Sequence, residues 1–279
     1  MNQTNGTKGV VKTVLIFTTV LALISLIYML LSAYFENKSK MYIDIDTMEL
    51  VQLDDPQEGD PIAVIDTTIG QMSMVLYPEY SPNAVQNFIE LAEEGYYDNT
   101  YVFHSEEGAY SAAGAKNKDG TMPDGYDTER ELVERELNQN LWPFRGAVFS
   151  MTTTVKQSFF QRFTGDGTYY CGSRFGIINS IEFTDEIEEQ LRSYSGSEEL
   201  ADAFIEKGGI PNFSQQITII GQIYDGLDVV DELANLDTNN SDDDVYKIPQ
   251  DDIMILSVTI DEYHTDTNEN NENNENLGS

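Results

Sequence analysis

One cysteine, Cys171, and two histidines, His104 and His264, are all the thiol and imidazole side chains in 279 residues. A lone cysteine excludes an intramolecular disulfide framework and any cysteine-cluster metal site. Two histidines argue against a His-based zinc centre. No metal and no cofactor is therefore expected. Positive charge is scarce too: 15 Lys+Arg stand against 49 Asp+Glu, a net charge of −34. Such a field repels nucleic acid and anionic lipid headgroups and favours cationic partners. Gly-rich phosphate loops and a Ser/His/Asp constellation are absent as well. The acidic run from Asp237 has a faint calcium-loop rhythm. It holds Asp242 where that loop needs glycine and Ile248 where it needs an acid, so it reads as a solvated loop.

What remains is enough for a packed core: 40% of residues are hydrophobic and 11% aromatic. Residues 13–35 carry no charge over 23 positions, long enough to cross a hydrocarbon core at about 1.5 Å per residue. The run exceeds the apolar core of a cleavable signal peptide, so an uncleaved transmembrane helix is expected. With 1–12 as a short cytoplasmic leader, the main domain would lie outside the cytoplasm at a cell membrane. Residues 36–60 read as an acidic linker, 61–262 as the folded domain, and 263–279 as a disordered Asn/Glu-rich tail.

Inside the domain, 62–66 and 72–77 read as strands of a hairpin joined by Thr-Thr-Ile-Gly. Ser81-Pro82 opens a helix with Ser as N-cap, and Gly95 supplies its left-handed stop. Segment 96–103 leads into a strand, and 146–151 and 173–178 read as buried strands. Helices are expected at 184–192 and 197–207, the latter stopped by Gly208. The last strand, 253–260, would turn Met254, Leu256, Val258 and Ile260 to one apolar face. Many short strands with few helices indicate a mainly β barrel or sandwich.

The most telling stretch is 208–231, GGIPNFSQQITIIGQIYDGLDVVD. With AVIDTTIGQMSMVLYPEYSP, AVQNFIELAEEGYYDNTYVFH, RELNQNLWPFRGAVFSM, CGSRFGIINS and YKIPQDDIMILSVTI, in that order, it resembles a bacterial cyclophilin-type peptidyl-prolyl cis-trans isomerase over about 200 residues. The resemblance implies a closed eight-stranded antiparallel β-barrel with two capping helices, here with inserted helices, and a peptide groove on its outer face. It implies rotation about X–Pro bonds of extended or unfolded polypeptides. Such a catalyst holds the proline ring in an apolar pocket and stabilises the twisted amide against a barrier of ~18–20 kcal/mol.

Several family positions hold other residues here. The catalytic arginine that follows Phe-His is Ser105, and Arg174, at a groove glutamine, is the candidate substitute. The peptide-binding positions fall on Tyr110, Ala112, Thr153, Arg174, Gly176, Asn212, Phe213 and Ile217. Gly176 stands at the pocket phenylalanine and Ile217 at the strand histidine. His104 reads as structural and Trp142 as core. These substitutions imply weak isomerisation. The alternative is a non-catalytic module that uses the same face to hold a peptide or a cell-envelope protein.

Overall fold

The structure, a computed structural model, describes residues 17–19, 21–22, 24–27, 29, 43–122, 133–153, 169–239 and 245–265. The expected leader, most of the expected anchor, the insertion 155–168 and the tail from 266 lie outside them, as does part of the acidic run after Asp237. The described positions between 17 and 29 are helical. Among the described residues no helix is long and apolar enough to cross a membrane. The transmembrane expectation therefore gains no support here.

Strands β1 (Pro61–Thr67), β2 (Gly70–Leu76), β3 (Thr100–Ser105), β4 (Tyr110–Ala115), β5 (Val133–Glu134), β6 (Ala147–Thr153), β7 (Tyr170–Ile178), β8 (Thr218–Asp225) and β9 (Met254–Glu262) form one sheet. Its order is β4-β3-β9-β1-β2-β8-β6-β7-β5, and an additional β4–β7 pairing closes it. All pairings are antiparallel. Eight strands thus make the expected barrel, and two-residue β5 is an appendage on β7. Closure leaves the eight without a free edge.

Two helices cap it. Helix α1 (Pro82–Glu93) buries Ala84, Val85, Phe88, Leu91 and Ala92 in the main core with Ile65, Met72, Met74 and Phe175. Ser81 is its N-cap residue, but its Oγ donates to the Ile219 carbonyl at 2.7 Å. The first turn is capped by Glu136 instead, whose carboxylate accepts from Ala84 N at 2.8 Å and Asn83 N at 3.3 Å. A carboxylate suits the positive end of the helix dipole. Gly95 (φ 67) ends the helix, with Tyr96 N donating to Leu91 O.

Helices α2 (Asp185–Tyr194) and α3 (Glu198–Lys207) form the insertion after β7, each capped by a hydroxyl, Thr184 and Ser197. Helix α4 (Leu227–Ala234) closes the other capping position with Val229, Val230 and Leu233 buried.

Two expectations are corrected. In β9, Ile255 and Val258 are buried while Leu256 is 45% exposed. The β1–β9 register passes from Asp66↔Ser257 to Thr67↔Ile255, a bulge at Leu256 that shifts the alternation by one residue. The strand therefore has no single Met254–Leu256–Val258–Ile260 face.

The domain also starts before residue 61. From Ile43 the expected linker belongs to the barrel unit. Met48, Leu50 and Leu53 pack against Trp142, Phe144 and Phe204. The buried Gln52 side chain bonds Trp142 N (2.5 Å), Trp142 O (2.9 Å) and Gln222 Oε1 (3.0 Å). At the far end, Glu58 accepts from Thr265 N at 2.6 Å and lies 2.9 Å from His264 Nδ1. These bonds and the His264 imidazole lower the Glu58 pKa to about 2.

Candidate peptide-binding face

The outer barrel face carries a second apolar cluster. It is built on Val75, Leu141, Ala147, Phe149, Ile178 and Ile219, with half-buried side chains packed on it. Tyr110 is central: its ring centroid lies 4.5 Å from His104, 5.6 Å from Phe149 and 6.2 Å from Phe213. Ile217 and Met151 join the same cluster. Three expected site residues, Tyr110, Phe213 and Ile217, are thus brought together. Burial pushes the Tyr110 phenol pKa up, helped by Tyr246 and Glu106 and opposed by Arg174.

Phe213 is set by a short 3-10 turn (Pro211–Phe213) anchored at the Gly208-Gly209 pair. Gly209 (φ 131) bridges Phe144, and an added Cβ would meet the Pro143 carbonyl at 2.4 Å. Only glycine allows that backbone approach. Ile210 N then donates to Pro143 O at 2.9 Å, tying the loop to the chain entering β6.

Gly176 explains why Phe149 is here. In register, Gly176 faces Phe149 on one side and Ala112 on the other, so the three form one row across β6, β7 and β4. A Cβ on Gly176 would lie 2.3 Å from Phe149 Cζ. The Phe149 ring fills the volume that a side chain at 176 would need. The aromatic expected on β7 is supplied by the neighbouring strand, above a floor of Gly176 and Ala112. Phe149 was read from sequence only as strand core; its role needs the β6–β7 register.

Ser105 points elsewhere. It is 3% exposed, its Oγ donates to Leu233 O at 2.7 Å at the end of α4, and its N donates to Lys247 O at 2.9 Å. His104 accepts from Lys247 N at Nδ1 (2.9 Å), which places its proton on Nε2, 3.6 Å from Glu106 Oε2. Burial holds its pKa low, against the opposing pull of Glu106. The structural reading of His104 fits these contacts.

Arg174 shares the strand face of Gly176 two residues away. Its Nη1 donates to Gly120 O at 2.7 Å and lies 3.4 Å from Tyr246 Oη, with the guanidinium 5.5 Å over the Phe103 ring. Tyr246, which no sequence motif marks, stands 4.9 Å from Phe103 and 5.9 Å from His104. The guanidinium is therefore lodged against Phe103, Tyr246 and the Gly120 carbonyl, while Tyr110 and Phe213 pack against each other. Thr153 pairs with Tyr170 at the end of β6.

Asn212 is exposed and faces a different space. With Pro211 and Ser214 it lines a cavity of about 480 Å³, walled also by Trp142, Ile181, Ile187, Leu191, Leu200 and Phe204. The inserted helices thus build a hollow beside the loop.

A family model described as "Cyclophilin type peptidyl-prolyl cis-trans isomerase/CLD" matches residues 62–164. A Staphylococcus aureus protein described as "Putative peptidyl-prolyl cis-trans isomerase" is 29% identical over 206 residues, covering 74% of this chain and 94% of that protein. A Streptococcus pyogenes protein described as "Putative bifunctional phosphatase/peptidyl-prolyl cis-trans isomerase" is 28% identical over 215 residues. That match covers 76% of this chain but spans only 41% of the streptococcal protein. Among solved structures, the Cryptosporidium parvum cyclophilin type peptidyl-prolyl cis-trans isomerase superposes with a TM-score of 0.51 at 19% identity, over 74% of this chain and 99% of that one. That last likeness speaks to fold alone, and it agrees with the closed eight-stranded barrel. Taken with the matched strands and the closing loop, these likenesses support the cyclophilin-type peptidyl-prolyl cis-trans isomerase family as the one this barrel resembles.

Proposed function

We propose that this protein binds extended, proline-containing polypeptide on the Tyr110–Phe149–Phe213 face and isomerises X–Pro bonds slowly. The carrying observation is the environment of Ser105: a hydroxyl, buried and bonded to Leu233 O, where the family resemblance puts the catalytic guanidinium. Stabilising a twisted amide by a charge-assisted hydrogen bond is worth roughly 1.5–3 kcal/mol, so its loss slows the reaction roughly 10- to 200-fold. Apolar contact with the proline ring is still supplied by the aromatic cluster.

A second reading, a binding module without turnover that holds a peptide or a cell-envelope protein, draws on Phe149. Its ring occupies the space over Gly176 and leaves less room for a proline to seat deeply. The full chain, added at micromolar concentration to a proline-limited refolding reaction, separates the two. The slow-isomerase reading expects a modest acceleration that Tyr110→Ala abolishes. No acceleration at all leaves only the binding reading.

The charge-free run at 13–35 supports placing the protein at a membrane through that segment, with the barrel outside the cytoplasm. Release of the full chain from membranes by alkaline carbonate would refute the anchoring.

A further inference from the structure

The cavity beside the closing loop is not part of the barrel face. Its walls come from the helical insertion (Ile187, Leu191, Leu200, Phe204), from Trp142 and from Ile43 ahead of the barrel. Yet the two spaces adjoin. Ile181 packs on the Tyr110–Phe149 cluster and also lines the cavity. In the loop, Asn212 and Ser214 line the cavity while Phe213, between them, packs against Tyr110. A peptide crossing this loop would present neighbouring residues to both spaces.

Three observations define the occupant. First, the volume, about 480 Å³, falls in the size range of small-ligand sites, and the lining is mostly aliphatic and aromatic. Second, Trp142 is 4% exposed and its indole Nε1–H has no acceptor among the described residues. Buried donors of this kind normally have a partner, so this wall of the cavity carries an unmet hydrogen-bonding need. Third, the insertion that forms the walls is strongly acidic: α2 opens with Asp185, Glu186, Glu188 and Glu189, and α3 with Glu198 and Glu199. Its Arg192 is paired with Asp202 and its Lys207 lies beside Glu206. An insertion charged in this way attracts lysine and arginine and disfavours acidic segments.

We propose that the inserted helices form a specificity pocket that takes a large apolar side chain, leucine or phenylalanine, of a basic polypeptide whose proline lies on the adjoining barrel face. The proposal rests on the peptide-binding reading above and names the class of polypeptide that this face selects.

The chain has a single tryptophan, Trp142, so its emission reports on this pocket alone. The probes are lysine-rich peptides with one Ala-Pro and with Ala, Leu or Phe placed in turn at each of the neighbouring positions. They are titrated into the full chain, and affinity is read from a labelled peptide and from Trp142 emission. Leu or Phe at one favoured position is expected to bind at least about tenfold more tightly than Ala and to shift the emission in parallel. Gln190→Phe, which narrows the cavity, is expected to remove most of that preference. Exchange of the lysines for glutamates is expected to weaken binding more than about tenfold at low salt.

Affinity and emission indifferent to the side chain, with proline still required, would overturn the pocket and leave the groove reading standing. A side-chain preference that Gln190→Phe reduces, with proline replaceable by alanine at no cost, would uphold the pocket and remove the groove reading. Equal affinity for the glutamate peptides would overturn the basic partner.

Discussion

The hydroxyl of Ser105 sits 2.7 Å from the Leu233 carbonyl and has almost no contact with solvent. That geometry makes the position part of the join between β3 and α4. A guanidinium could not be restored there by simple replacement. Ser105→Arg would remove a bond to a helix-end carbonyl and leave a cation buried without a partner, a cost of about 3–5 kcal/mol. Urea unfolding of the full chain measures it. A variant as stable as the parent, and faster on X–Pro substrates, would mean that Ser105 opens onto the groove after all. Arg174 differs in kind: its Nη1 is held by Gly120 O, so moving it to a substrate first requires breaking a 2.7 Å bond.

Strands β6 and β7 show how pairing, invisible to composition, sets the face. Phe149, Gly176 and Ala112 occupy one row, and the large ring fits because its neighbours are small. Gly176→Ala should therefore overpack the row and cost about 1–3 kcal/mol. Phe149→Leu should recover most of that loss in the double variant, a coupling that a double-mutant cycle in urea reads directly. Additive losses would show that the two residues do not share the space.

Most of the barrel strands, helix α1 and both inserted helices were legible because their signals are local: hairpin turn, caps, left-handed glycines and period; β4, rich in small residues, had no such signal. What failed needed partners distant in sequence. The bulge at Leu256 is set by pairing with β1, and the cap on α1 comes from Glu136. Stretch 43–60 looked like a stalk because its charges mask the few side chains, apolar Met48, Leu50 and Leu53 and the amide of Gln52, that fasten it to the chain around Trp142. In the site, Tyr110, Phe213 and Ile217 were found by resemblance, whereas Phe149 and Tyr246 had no motif to mark them.

Across the full sequence the net charge is −34, and the barrel carries an outer face whose centre is aromatic, with Ser105 buried against Leu233. On the proposed reading, charge would bring basic polypeptide near and the cluster would seat a proline ring, with no guanidinium in that cluster to bond the twisting amide. The face is therefore expected to bind with little turnover. NMR exchange spectroscopy of a lysine-rich peptide with one Ala-Pro bond, in the presence of the full chain, sees both in one sample. The prediction is that resonances around the proline shift and saturate, while cis–trans exchange at catalytic amounts of protein is only modestly faster than the uncatalysed scale of tens to hundreds of seconds. Sub-second exchange at the same catalytic amounts would contradict it.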